Sequence, residues 1–211
     1  MRHAAAQLDH LIVAGPDLAE AVDYVESLLG ARAVVGGSHP GIGTRNALVR
    51  LDPGAYIEII GPDPEQPDPE LPRWFGIDGM TGPRLATWSA RTGDLDAAAE
   101  QARALGVDLG RISPGGRVRP DGVRLEWHVT DPRADRMNGV LPFLMDWGES
   151  PHPSASLDAG CTLVALRGYH PRADEARAVA AALGLPITIE RGPEPRLEAE
   201  IRTPSGVVTI R

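Results

Sequence analysis

Two residues stand where elementary physical chemistry would not place them. His10 interrupts the apolar run "LDHLIVA", and Glu58 does the same in "YIEII". Side chains alternate along an extended strand, so Leu8, His10 and Ile12 are expected on one face, and Tyr56, Glu58 and Ile60 on one face of their own strand. A carboxylate among apolar neighbours is costly to bury unless it is paired or bound to a cation. Either His10 is a satisfied core histidine and Glu58 pairs with Arg45 or Arg50, or imidazole and carboxylate together hold a metal or a substrate. A catalytic metal centre takes about three protein ligands. The candidates for a third are His39 in "SHPGIGT", Asp146 in "FLMDW" and His152 in "SPHP".

His39 sits in a loop bounded by Gly and Pro that leads towards Asn46. From there it could act as ligand, general base or substrate contact, with Asn46 beside it. Trp127 and Trp147 are candidate walls of a pocket. Trp127 and His128 alternate, so only one can face that pocket, and Trp127 is assigned to it. His3, near the start, and His170, beside Pro171, belong to no such pattern.

Composition narrows the chemistry. All 21 basic residues are arginine, so lysine-nucleophile and Schiff-base mechanisms are excluded. A single cysteine, Cys161, rules out an intramolecular disulfide framework and a Cys-rich zinc site, and suits a reducing compartment. The net charge of −8, without a basic stripe, argues against nucleic acid as a partner. No secretory signal pattern and no run of about 18 apolar residues is present, so a cytoplasmic protein without a membrane span is expected. "GIG" is too short, and precedes a strand rather than a helix, so no nucleotide cofactor is expected.

The elements that must carry these residues repeat. An apolar strand over 8–14 meets Asp17, a helix cap, and the helix that follows stops at Gly30. "LATWSARTGDLDAAAEQARALG" and "CTLVALRGYHPRADEARAVAAALG" restate that order, stopping at Gly106 and Gly184. Alternating strands around turns such as Asp52-Pro53-Gly54 follow each helix. The expected organisation is three strand-helix-strand-strand-strand units over 1–61, 85–148 and 161–211. The third is the weakest, and Pro-rich linkers over 62–84 and 149–160 separate the units.

"LDHLIVAGPDLAEAVDYVESLLGA" followed by "HPGIGTRNALVRLDPGAYIEII" resembles the opening module of the vicinal oxygen chelate superfamily, in its glyoxalase-like branch. The resemblance implies an α+β fold of repeated βαβββ modules, whose curved mixed sheets enclose a cleft with the helices outside. It implies one divalent metal in the cleft, whether Zn, Fe, Mn, Ni or Mg, acting as a Lewis acid on a small oxygen-rich substrate in a lyase, isomerase or dioxygenase. His10 and Glu58 fall on the family's ligand positions in the first module, with Asp146 the carboxylate offered by the second. Glu58 and His39 are the candidates for moving a proton. Asn46, His39, Trp127 and Trp147 are the candidates for touching substrate. The second module departs from the family pattern: counting makes Thr87 its equivalent of His10 and Phe143 its equivalent of Glu58. That departure opens a second reading, a metal-free protein that binds and sequesters a small molecule. Because modules pair and this chain has three, a homodimer is expected to cover the odd one.

Overall fold

The computed structural model describes residues 5–119, 122–158 and 160–211, which leaves His3 outside the described residues. The order strand, helix, three strands runs through it three times. The first copy is β1 (Gln7–Ala14), α1 (Leu18–Leu29), β2 (Val34–His39), β3 (Thr44–Asp52) and β4 (Ala55–Pro62). The second is β5 (Arg84–Arg91), α2 (Leu95–Ala104), β6 (Ser113–Val118), β7 (Arg124–Val129) and β8 (Phe143–Asp146). The third is β9 (Cys161–His170), α3 (Ala173–Leu183), β10 (Thr188–Arg191), β11 (Arg196–Thr203) and β12 (Gly206–Ile210).

Local chemistry sets the ends of these elements. The Asp17 side chain accepts the Glu20 N–H at 2.9 Å, and Asp94 accepts that of Ala97 at 3.0 Å, each relieving an orphan donor of a first turn. Gly30 ends α1 at φ 62, a left-handed conformation that a side chain would resist, and returns its N–H to Glu26. Along α1, Ala21, Val25 and Leu29 recur every fourth residue and are buried against the sheet.

The first two copies form a continuous run of strands in the order β2-β3-β4-β1-β5-β8-β7-β6. β1 and β5 meet antiparallel at its centre, and each is parallel to the last strand of its own copy. One face of this sheet packs on the helices through Leu11, Val13, Val25, Trp88 and Ala102. The inner face carries a separate apolar cluster that includes Ile12, Ile60, Leu125, Phe143, Met145 and Trp147. Both faces of β1 and β4 are therefore buried, which is why their sequences read as nearly unbroken apolar runs.

The third copy repeats the order of elements but not their pairing. In the first copy the opening strand lies beside the fourth, whereas β9 lies between β10 and β11. β9 is tied to β3 at Leu51 and Cys161. α3 and the inward residues Leu197, Ala199 and Ile201 of β11 join the same core as Leu11 and Val25. The third copy thus covers the helical side of the molecule, and its apolar face is buried within the chain.

Candidate functional site

The site is built on β1 and β4, which run parallel with His10 opposite Tyr56 and Ile12 opposite Glu58. The strict alternation expected for β1 fails at one point. A bulge at Asp9 shifts the register against β5 between Leu8 and His10. Leu8 consequently packs on the helical core, while Asp9 and His10 meet on the cleft side of the strand.

A line of polar groups results. Asp9, with no exposed surface, takes the His10 Nδ1–H on Oδ1 at 2.6 Å and the Trp147 Nε1–H on Oδ2 at 2.7 Å. His10 Nε2 lies 3.3 Å from Glu58 Oε2. The other carboxylate oxygen of Glu58 accepts from Asn46 Nδ2 at 2.5 Å. Asn46 Oδ1 accepts the Gly37 N–H, which fixes the amide so that Nδ2 also faces His39 Nε2, at 3.3 Å. His39 Nε2 is then an acceptor, and its Nδ1–H donates to Thr44 Oγ1 at 2.9 Å. The Tyr56 ring stacks on His10 with centroids 4.6 Å apart.

Charge follows this geometry. Burial pushes the His10 imidazole down, but the bonds and charges of Asp9 and Glu58 outweigh it and hold His10 up at about 9. Burial likewise raises Glu58, and the His10 bond, the charges of His10 and His39 and the Asn46 amide bring it to about 2. Asp9 is desolvated too, yet His10 and His152 keep it well below the ordinary carboxylate range. His39 moves the other way: desolvation lowers it, only partly opposed by Glu58, so it is neutral at pH 7. The floor of the cleft is an imidazolium between two carboxylates, with a neutral imidazole one amide further on.

His10, Glu58, His39 and Asn46 are brought together. Arg45 and Arg50 do not pair with Glu58; Arg50 bonds Asp52 and the Leu157 carbonyl instead. Asp146 is not brought to the site. In β8 Phe143 and Met145 line the cleft, whereas Asp146 lines an outer groove with His128 and accepts the Gly148 N–H. Counting from the turn glycine is correct here, and the shifted register that would have aimed Asp146 at Glu58 does not occur. Thr87 donates its hydroxyl to the Gly139 carbonyl. Trp127 lines the cleft and His128 does not. Trp147 also lines it, but its N–H is committed to Asp9. His152 lies with Nε2 3.3 Å from Asp9 Oδ2, outside hydrogen-bond geometry, and its Nδ1 accepts from the Ser154 backbone N–H and hydroxyl.

Sequence reasoning missed Asp9, because alternation assigned it to the opposite face. It also missed Trp74, Phe75 and Arg117. The stretch 62–84, expected as a linker, folds back in a short 3₁₀ segment (Trp74–Gly79) whose Trp74 and Phe75 line the cleft. Arg117 reaches from β6 to the Gly36 carbonyl on β2 at 2.8 Å. The cleft has two chambers: a pit of about 50 Å³ over His10 and Glu58, and an outer chamber of about 470 Å³ sharing His39, Trp74 and Trp127 with it.

Paired βαβββ units around a cleft with His and Glu on its first and fourth strands define a protein of the vicinal oxygen chelate superfamily. The family model described as a glyoxalase-like domain matches residues 8–184, and the chain belongs to that family. Among solved structures, a hypothetical protein from Staphylococcus aureus superposes with a TM-score of 0.66 at 12% identity, covering 97% of this chain and 98% of that one. The fold is therefore shared along nearly the whole length, third copy included. A methylmalonyl-CoA epimerase from Streptomyces coelicolor, in complex with 2-nitronate-propionyl-CoA, gives a TM-score of 0.45 at 22% identity over 71% of this chain and 100% of its own. The Mycobacterium tuberculosis epimerase gives 0.44 at 20% identity over 74% and 97%. No curated protein matches the chain.

Members of the superfamily often hold a divalent metal in this cleft, and the donors here do not fit one. His10 has a carboxylate beside each ring nitrogen, Asp9 at 2.6 Å from Nδ1 and Glu58 at 3.3 Å from Nε2. Both nitrogens of His39 are engaged as well. Among the described residues no three His, Cys, Asp or Glu side chains are arranged to hold a metal. No helix among them is long and apolar enough to cross a membrane.

Proposed function

We propose that this chain is a metal-independent member of the superfamily that binds and sequesters a small organic molecule in its cleft. The observation that carries the reading is the state of His10: held between Asp9 and Glu58, it is a structural cation, and the second copy offers Thr87 and Phe143 where a second pair of ligands would stand. The walls support it. Trp74, Phe75, Trp127 and Phe143 give the apolar surface that binds an organic body, and the polar floor gives orientation. In this reading Glu58 is a fixed acceptor. A carboxyl held near 2 is too weakly basic to take a proton efficiently at neutral pH. His39 and Asn46 complete the polar surface that a ligand's oxygen atoms would meet.

Elemental analysis of protein purified without an affinity metal or chelator, followed by calorimetric titration with Zn²⁺, Mn²⁺ and Ni²⁺, tests this. The expected result is far less than one metal per chain and no titration that Glu58→Gln abolishes. About one divalent metal per chain, lost in both His10→Ala and Glu58→Gln, would overturn the reading and return the chain to the metal-dependent lyases, isomerases and dioxygenases.

A further inference from the structure

The small-molecule reading leaves the chemistry of the ligand open, and the two chambers constrain it. The pit, about 50 Å³, has room for a few waters or a substituent of a few atoms. A ring-sized ligand body finds its room in the larger outer chamber of about 470 Å³. That chamber has two indole walls. Trp127 lies flat over Gly115, its cross-strand partner, where a Cβ would come within 2.3 Å of Nε1. Trp74 lies 5.6 Å from the His39 ring, and the Arg133 guanidinium, also lining the chamber, is 6.0 Å from the Trp74 centroid.

The charges at the mouth are unbalanced. Arg111 and Arg133 line the chamber together with one carboxylate, Asp131, which already accepts the Arg133 backbone N–H at 2.8 Å. Arg133 is anchored through Nε and Nη2 to the Pro72 carbonyl, which leaves its Nη1 edge turned to other partners. Among the described residues Arg111 makes no hydrogen bond or ion pair. In a chain whose net charge is −8, two cations without a full countercharge at the mouth of an aromatic chamber form a local anion attractor.

We propose that the outer chamber takes a planar organic anion, its ring lying against Trp74 and Trp127 and its carboxylate or equivalent group meeting Arg111 and Arg133. This rests on the small-molecule reading above. Flat rings suit indole faces, and a guanidinium's fork of donors suits a planar anion.

The probe pair is 1-naphthoate and its neutral isostere 1-naphthamide, titrated calorimetrically, with the indole ¹H–¹⁵N signals of the intact protein recorded in parallel. The expected result is naphthoate binding about tenfold or more tighter than the amide, the range of one charge-assisted contact. The Trp74 and Trp127 signals should shift while that of Trp88, bonded to Val140 in the core, stays in place. Arg111→Gln combined with Arg133→Gln should bring the two affinities together. Equal affinities in the unaltered protein, or a preference that survives the double substitution, overturn the anion assignment and leave the small-molecule reading intact. No binding of either probe overturns the assignment as well; if the protein then carries one metal per chain, the small-molecule reading falls with it.

Discussion

His10 keeps its proton because neither neighbouring carboxylate can be solvated in its place. The ring is 3% exposed, Asp9 is not exposed at all, and removing the cation would leave two buried negative charges facing each other. His10→Ala is therefore expected to cost about 3–5 kcal/mol, the range for orphaning a buried ion partner, read as a loss in urea unfolding free energy. The pH dependence has two sides. His10 is raised from 6.5 to about 9 on folding, so its contribution is complete below pH 6.5 and is lost as the pH rises to 9. Glu58 is depressed from 4.5 to about 2, so its contribution is complete above pH 4.5 and is lost as the pH falls to 2. Unfolding free energies across pH should peak between about 4.5 and 6.5 and fall on the alkaline side, with a slope of up to ~1.4 kcal/mol per pH unit for one proton. An alkaline limb that persists in His10→Gln would show that another group is responsible. The polar pair itself was legible in the sequence, since a histidine and a glutamate each broke an apolar run. Asp9 was not: a bulge is a property of two strands, and alternation within one cannot reveal it.

At the level of elements, what was legible follows the range of the interactions involved. Helix caps and glycine stops are local, and Asp17, Gly30, Asp94 and Gly184 fall where their chemistry places them. The prolines of 62–84 point to a linker, but its aromatic residues are what matter. Arg73 is pinned by Asp68 and Asp78 and bonds the Gly43 carbonyl, which swings Trp74 and Phe75 over the cleft. Phe75 holds φ 62, and its ring stacks on Phe143 at 5.9 Å. A left-handed non-glycine residue costs about 1–2 kcal/mol, and an aromatic pair returns about 0.5–1.5 kcal/mol. Phe75→Gly relieves that backbone cost but also loses the apolar surface the ring packs on the inner cluster, so it should destabilise by about 1–3 kcal/mol. It should uncover the pit, so that acrylamide quenches tryptophan emission more strongly than in the parent protein. Unchanged quenching would mean that the segment does not cover the pit.

For the molecule as a whole, the order of elements was legible and the pairing of the third copy was not. Its helix ends in the same Leu-Gly signal as the others, but strand partners are chosen by tertiary contacts, one of them, β3 with β9, across more than a hundred residues. β9 has β3, β10 and β11 as neighbours, and the buried side chains of α3 and β11 complete the core of α1 and α2. The odd copy that suggested a homodimer is therefore already covered within the chain. A continuous core implies one cooperative unit, so calorimetry should show a single transition whose van't Hoff and calorimetric enthalpies agree. The truncated chain 1–160, which loses Leu166, Val179, Leu183, Leu197 and Ile201 from that core, should lose its near-ultraviolet circular dichroism. A second, separate transition in the full chain would show that the third copy folds on its own.

The bridge from Arg117 to the Gly36 carbonyl joins the two outermost strands of the first two copies. A guanidinium stays charged at any pH the protein survives, and a carbonyl does not titrate, so this clasp is indifferent to acidity. The floor beneath it is not, because it depends on a proton that alkali removes. Rim and floor therefore answer to different variables. In rising alkali the chamber should keep its outline while its base loses rigidity, with the clasp still fastened.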